Sequence, residues 1–245
     1  MHKYVSPDGK EMSEMDSKNI LFDNKGRALS SEEIHEKIAE FSYSYKAAIQ
    51  EIIRKSRVLD EDGEVFVRCT ARILSNFGMT RAGVFKGVKI LDNGTVDSKQ
   101  ILLECWNKIG NRLIEISKSV IFSGFSRDRY LLELSKSERE RLLEEIWLMT
   151  KQILPLTMGE TSYGLVGASK ILFSVLPEIV LPVDNTEWLK VFKTVDISDV
   201  INRMADDIQE WENITQHRFN ELDPSRMLTT LPSVYNVMAM DARPA

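Results

Sequence analysis

Ser123 to Tyr130, SGFSRDRY, sets Arg127 and Arg129 beside Phe125 and Tyr130 in a stretch that joins two helical patterns. Guanidinium groups donate to phosphate oxygens and aromatic rings stack on bases, so this composition suits contact with a nucleic acid. A second basic region runs from Glu64 to Ile90, where Arg68, Arg72, Arg81, Lys86 and Lys89 stand against the single acid Glu64. From Lys193 to Ala245 the balance reverses, with five basic residues against nine acidic ones. A chain of net charge −5 that is polarised in this way can draw phosphates to one face. Both basic regions also read as ordinary solvated surfaces. Asp206, Asp207, Glu210 and Glu212 read as such a surface, on a helix whose other side carries Trp211.

Gly164 to Phe192, GLVGASKILFSVLPEIVLPVDNTEWLKVF, is the most distinctive run. A glycine-spaced turn at Gly164 and Gly167 leads into an apolar helix marked by Ile171, Leu172 and Val175. Pro177 and Pro182 bracket an apolar crossing, and Asp184 then opens a helix that contains Trp188. This order resembles the part of the helix-hairpin-helix DNA glycosylases that runs from the hairpin to the catalytic aspartate, where the family reads Gly-x-Gly, helix, Pro-Val-Asp. With Gly167 as the second hairpin glycine, Leu165 falls at the first and Ser169 at the family's lysine, and Lys170 stands one position later.

The resemblance implies a DNA substrate, base excision without a metal or cofactor, and hairpin amides at Gly164 and Gly167 that hold a phosphate. It implies Asp184 as the carboxylate that stabilises the cationic sugar while the N-glycosidic bond breaks. It implies Lys170 as an amine that attacks the sugar carbon, given a setting that lowers its pKa, and Trp188 as a platform for the extruded base. The same residues allow plainer roles. Asp184-Asn185-Thr186-Glu187 has the form of a capping box, Lys170 of an exposed helix lysine, Trp188 of a core residue, and the glycines of close packing. Two other functions therefore stay open: a non-catalytic helical DNA- or protein-binding protein of a defence or regulatory system, and a restriction-type nuclease.

Other constellations fail on spacing. Gly159 to Gly164 is spaced as a phosphate loop, but Leu165 occupies the lysine position. Gly63 comes too early after Asp60 for a calcium loop, and His2, His35 and His217 are too few and too scattered for a histidine-rich metal site. Cys69 and Cys105 sit singly among apolar residues and read as buried free thiols. The start of the chain lacks a signal-peptide pattern, and no apolar run approaches the roughly 18 residues of a membrane span. The expectation is a cytoplasmic protein with no membrane partner.

These residues need a scaffold, and the sequence supplies capped helices. At 245 residues, 43% hydrophobic and 28% charged, the composition is that of a folded chain. The fold class expected is mainly α, a multi-helix globular domain as one body or two helical lobes, with a small β-hairpin. Residues 1–29 read as a polar, turn-rich extension and 30–245 as a single helical domain. Hairpin signals lie at Asp23 to Gly26 and at Asn93-Gly94. Ser30 with Glu33 and Ser135 with Glu138 form capping boxes; Asp97 with Gln100 and Asp196 with Asp199 open two further helices. The first helical pattern runs on through Tyr45 and Ile49 to Ile52. Periodicity places Ile34, Ile38, Phe41, Ile49, Ile73, Leu113, Ile146, Ile153, Leu172 and Trp211 in the core. The stretch from Pro224 onward reads as irregular but apolar, packed on the body.

Overall fold

The computed structural model describes residues 19–41, 46–47, 49–50, 59, 61–76, 97–157, 162–183, 191–194, 196–223 and 230–242. Among them are eight α-helices and no strand. None of these helices is long and apolar enough to cross a membrane.

Where the first hairpin was expected, Asp23 Oδ1 accepts the Lys25 and Arg27 amides and Gly26 takes a left-handed φ of 78°. One antiparallel bridge, Phe22 to Ala28, is all the pairing that follows. No strand grows from it because Ser30 already caps the next helix. The Asn93-Gly94 hairpin lies outside the described residues.

Helix α1 spans Ser31–Glu40 behind the expected box: the Glu33 amide donates to Ser30 Oγ at 3.2 Å and the Ser30 amide to Glu33 Oε2 at 2.7 Å. The helix breaks at Phe41, which is extended, and helical backbone returns at Lys46, Ala47, Ile49 and Gln50. The run Phe41-Ser42-Tyr43-Ser44-Tyr45 consists of weak helix formers, which lets tertiary packing end the helix. Lys46, nearly buried, donates to the Ala39 carbonyl at 2.8 Å and satisfies that end.

Helix α2, Glu64–Asn76, follows Gly63, whose φ is 78°. A Cβ built on Gly63 would lie 2.4 Å from the Trp106 ring, and one on Gly110 would lie 2.7 Å from the ring's other atoms. Trp106 belongs to α3, Ser98–Phe122, capped by Asp97 through the Lys99 amide. Its indole thus fits between two glycines, stacks near Phe66 at 5.3 Å and donates to the Glu61 carbonyl at 3.4 Å.

A 3-10 turn at Arg127–Arg129 leads to the short α4, Tyr130–Glu133, and to α5, Lys136–Ile153, which opens on the Ser135/Glu138 box. Pro155 sits in a 3-10 turn, Leu154–Thr157, that ends α5. Helix α6 is Ser162–Phe173, α7 is Ile197–Thr215 with Asp196 as its cap, and α8 is Leu231–Asp241. The last corrects the reading of the C-terminal stretch as irregular. Its apolar residues surround the helix, so no amphipathic stripe marks it, and its Pro232 reads as a breaker although it occupies the first turn.

Helix α7 packs on α5, α3 on α2 and α5, α8 on α1, and α6 on α5 and the Leu154–Thr157 turn. Nine of the ten expected core residues are buried and Phe41 is partly so. Buried side chains from Leu21 to Ala239 form one cluster.

Replacing Gly63 with alanine asks a left-handed residue to carry a methyl group into the Trp106 ring. We expect a loss of about 2 kcal/mol or more in urea unfolding. A midpoint equal to the parent's would show that the indole can move aside at no cost.

Candidate functional site

Gly164 and Gly167 lie inside α6, not in a turn before it. A glycine costs a helix about 1 kcal/mol relative to alanine, and the surrounding apolar side chains outweigh that when they are buried. Their amides are therefore part of a helix and make no hairpin for phosphate, which corrects that expectation.

Every described residue from 164 to 183 is buried. Hydroxyls in this stretch and in the turn before it close on nearby carbonyls. Thr157 Oγ1 donates to the Gly164 carbonyl at 2.9 Å, Ser169 Oγ to Val166 at 3.0 Å, and Ser174 Oγ to Ile171 at 2.7 Å. Thr70 of α2 meets Ser174 at 2.7 Å. Two charged residues are enclosed with them. Lys170 is only 2% exposed, contrary to the plain reading of a surface lysine, and Glu178 is 5% exposed.

After α6 the chain reverses through tight turns, with Leu176 and Val180 amides reaching back to Leu172 and Leu176 carbonyls at 2.8 and 2.9 Å. It meets α6 again where the Val183 amide donates to Ser169 Oγ at 3.1 Å. The residue next to Lys170 in sequence thus holds the residue next to Asp184. Asp184 and Trp188 themselves lie outside the described residues, as does Arg81.

The Arg127–Arg129 pair divides. Arg129 makes a two-pronged bond to Glu212 of α7, at 2.7 and 2.9 Å, and a third bond to Asn220 at 3.0 Å. Glu212 and Glu133 raise its pKa, so the charge is fixed there. A phosphate would have to displace a nearly buried carboxylate, which speaks against Arg129 as a phosphate ligand. Arg127 pairs with Glu178 at 3.1 Å while 46% of its side chain stays in water. On α2, Arg68 and Arg72 are exposed and one turn apart.

The acidic face of α7 needs correction as well. Asp207 is 7% exposed and accepts the Tyr235 hydroxyl at 2.6 Å. Burial lifts its carboxyl from an ordinary 3.8 to about 6, against the pull of Tyr235 and Arg203. Arg203 reaches toward Asp207 at 3.8 Å, lies 5.3 Å from the Phe192 ring centroid and donates to the Val191 carbonyl at 3.4 Å. Asp206 pairs with Arg139 of α5, and Glu210 accepts from Asn19 at 2.9 Å. The signal for Asp207 was its spacing, since it shares the helix face of Met204, Ile208 and Trp211.

A groove of about 540 Å³ runs between α5 and α7, floored by Leu143 and Trp147 and walled by Arg139, Asp199 and Asp206. Burial and the nearby Asp196 raise the Asp199 carboxyl. No residue expected to act from the sequence lines it. The two thiols are free, and Cys105 is pushed up to about 12 by burial, which makes it inert. Comparison of the chain with protein-family models, curated proteins and solved structures finds no match.

Asp207 generates a pH prediction with a definite sign. Its folded value lies above its unfolded one, so the folded state holds the proton more tightly and stability falls as pH rises through about 6. Between about pH 4 and pH 7, the parent should lose about 2 kcal/mol relative to Asp207→Asn, which keeps an acceptor for Tyr235 but cannot ionise. Parallel unfolding curves for the two proteins across that range would refute it.

Proposed function

We propose that the protein is a cytoplasmic DNA-processing enzyme that excises a base by breaking its N-glycosidic bond. The observation that supports this reading is the buried Lys170, set beside the Ser169 contact to Val183. A lysine nucleophile has to be held out of bulk water, and a carboxylate at the next segment's start is well placed in sequence to offset charge on the sugar. In this reading the Lys170 amine adds to the sugar carbon as the base leaves with the electron pair of the glycosidic bond. Asp184 stabilises the positive charge that develops on the sugar. Arg68, Arg72 and Arg127 contribute the phosphate attraction.

A second reading, a non-catalytic helical binding protein, draws on a different observation. The Ser and Thr hydroxyls along the buried stretch bond to local carbonyls or to one another, as they would in pure scaffold.

Asp184→Asn retains a side-chain oxygen for capping, so it should melt near the parent temperature while base release falls by about 100-fold or more. Borohydride added during turnover should couple DNA to the peptide that contains Lys170. If the parent releases no base from any damaged or mismatched duplex, or Asp184→Asn works as well as the parent, base excision is ruled out and the binding reading takes its place.

A further inference from the structure

Two contacts beside the groove between α5 and α7 show that the chain runs antiparallel there. Gln209 donates to the Leu132 carbonyl at 3.3 Å, and Arg139 pairs with Asp206. Away from the Arg139–Asp206 pair, the groove therefore ends where Trp147 comes beside the first turn of α7, with Ser198 and Asp199 in the wall. At 1.5 Å per residue, α5 covers about 12 Å between Arg139 and Trp147. With about 540 Å³ of space over Leu143 and Trp147, the groove has the size of a small-molecule site.

The two ends offer different chemistry. Arg139 is 7% exposed and gives one arm to Asp206, which also accepts from Asn202 at 3.2 Å. Among the described residues Arg139 Nε has no hydrogen-bond partner, and a buried guanidinium N–H without an acceptor is costly. Lys136, exposed and one turn earlier, lines the same end. At the other end Asp199 accepts the Thr194 hydroxyl at 3.1 Å and forms no ion pair among the described residues. Burial and Asp196 raise its carboxyl, and no lysine or arginine pulls it back. In the lining, Lys136 and Arg139 face the carboxylates of Glu140, Glu144, Asp199 and Asp206. Neighbours do not cancel this acidic excess: Lys151, 5.7 Å from the Trp147 ring, is offset by Asp196, Arg112 pairs with Glu145, and Arg141 acts on Glu138.

We propose that this groove binds a basic amino acid in extended form, with free lysine as the type. Its α-carboxylate meets Arg139 and Lys136, its α-ammonium Asp206 and Glu140, its stem Leu143 and Trp147, and its ε-ammonium Asp199 and Glu144. Each alternative leaves something unmatched. A phosphate or nucleotide meets an excess of negative charge. A purely apolar ligand leaves the Arg139 donor and the Asp199 carboxylate without partners. A simple diamine brings no acceptor to Arg139, and a metal ion finds no group of three ligating side chains among the described residues. Lysine supplies the acceptor through charge-assisted bonds, and its net positive charge reduces the acidic excess. The site does not rest on the base-excision reading, since no residue of that reading lines it.

The test is calorimetric titration of the full chain with lysine, with norleucine, which lacks the ε-ammonium, and with cadaverine, which lacks the carboxylate. Lysine should bind, and each of the other two should bind roughly ten-fold or more weakly, because each omits one charge-assisted contact. Asp199→Asn keeps an acceptor for the Thr194 hydroxyl and changes an exposed side chain, so it should melt with the parent. Its affinity for lysine should nevertheless fall to about that of norleucine for the parent. Arg139→Gln should lose the preference for lysine over cadaverine. That variant breaks a buried ion pair, so its melting is followed alongside, and the three-ligand comparison on the parent decides the matter whether or not it folds. The proposal is overturned if lysine at millimolar concentration does not bind the parent, if norleucine or cadaverine binds as tightly as lysine, or if Asp199→Asn binds lysine as well as the parent does.

Discussion

Trp211 cannot be buried without an acceptor for its indole N–H, and the Leu29 carbonyl 2.8 Å away is that acceptor. The bond fixes where the stretch before α1 crosses α7. Leu21 then enters the core with no exposure, Asn19 donates to the Asp207 carbonyl at 3.2 Å, and Ser30 is positioned to start α1. On its other side Trp211 meets Phe219 edge-on at 5.7 Å, which sets the turn after α7 and so the Asn220 that braces Arg129. One residue of α7 therefore links the N-terminal turn, the α7 exit and the loop ahead of α4.

Several polar groups inside this core are held by a partner more distant in the chain. Ser169 meets Val183, Thr70 meets Ser174, Tyr235 meets Asp207, and Lys46 meets Ala39. Such bonds add little net stability singly, but leaving one partner alone costs more, so they penalise alternative registers. Lys170 and Glu178 are the costlier cases. Burying ionisable side chains within a mainly apolar stretch is rarely the most stable choice for a fold. That cost is the physical reason to look for function at α6 and the turns after it.

Helices were legible where a stripe and a cap coincided. Ser30 with Glu33 and Ser135 with Glu138 formed as read, and the apolar spacing from Ile34 to Trp211 put nine of ten named residues in the core. Legibility failed where a helix is buried all round or glycine is embedded. Helix α8 has no polar face to give it a period, and α6 carries Gly164 and Gly167 within its first turns. The site residues were only partly legible. Lys170 was marked by its place near Asp184, but its burial depends on tertiary packing, which one segment's periodicity cannot report. Asp207 was legible in retrospect, because a carboxylate on an apolar stripe must be buried with partners or disrupt the stripe.

The fates of Arg127 and Arg129 show why composition alone misjudges an interface. Two residues apart on a 3-10 turn, at three residues per turn, their side chains point about 120° apart. They cannot serve the same phosphate. Arg129 points into the joint with Glu212 and Asn220, and its charge is balanced within the fold. Arg127 stands over Glu178 with part of its guanidinium in water. The loop that reads as doubly basic in sequence offers one guanidinium outward, so any attraction for phosphate must also draw on neighbours such as Lys118 or the α2 arginines. The aromatic residues divide in the same way, Tyr130 inward and Phe125 outward. A motif of alternating cations and rings on such a turn becomes a two-sided hinge pin, with one side locking the loop and the other facing solvent.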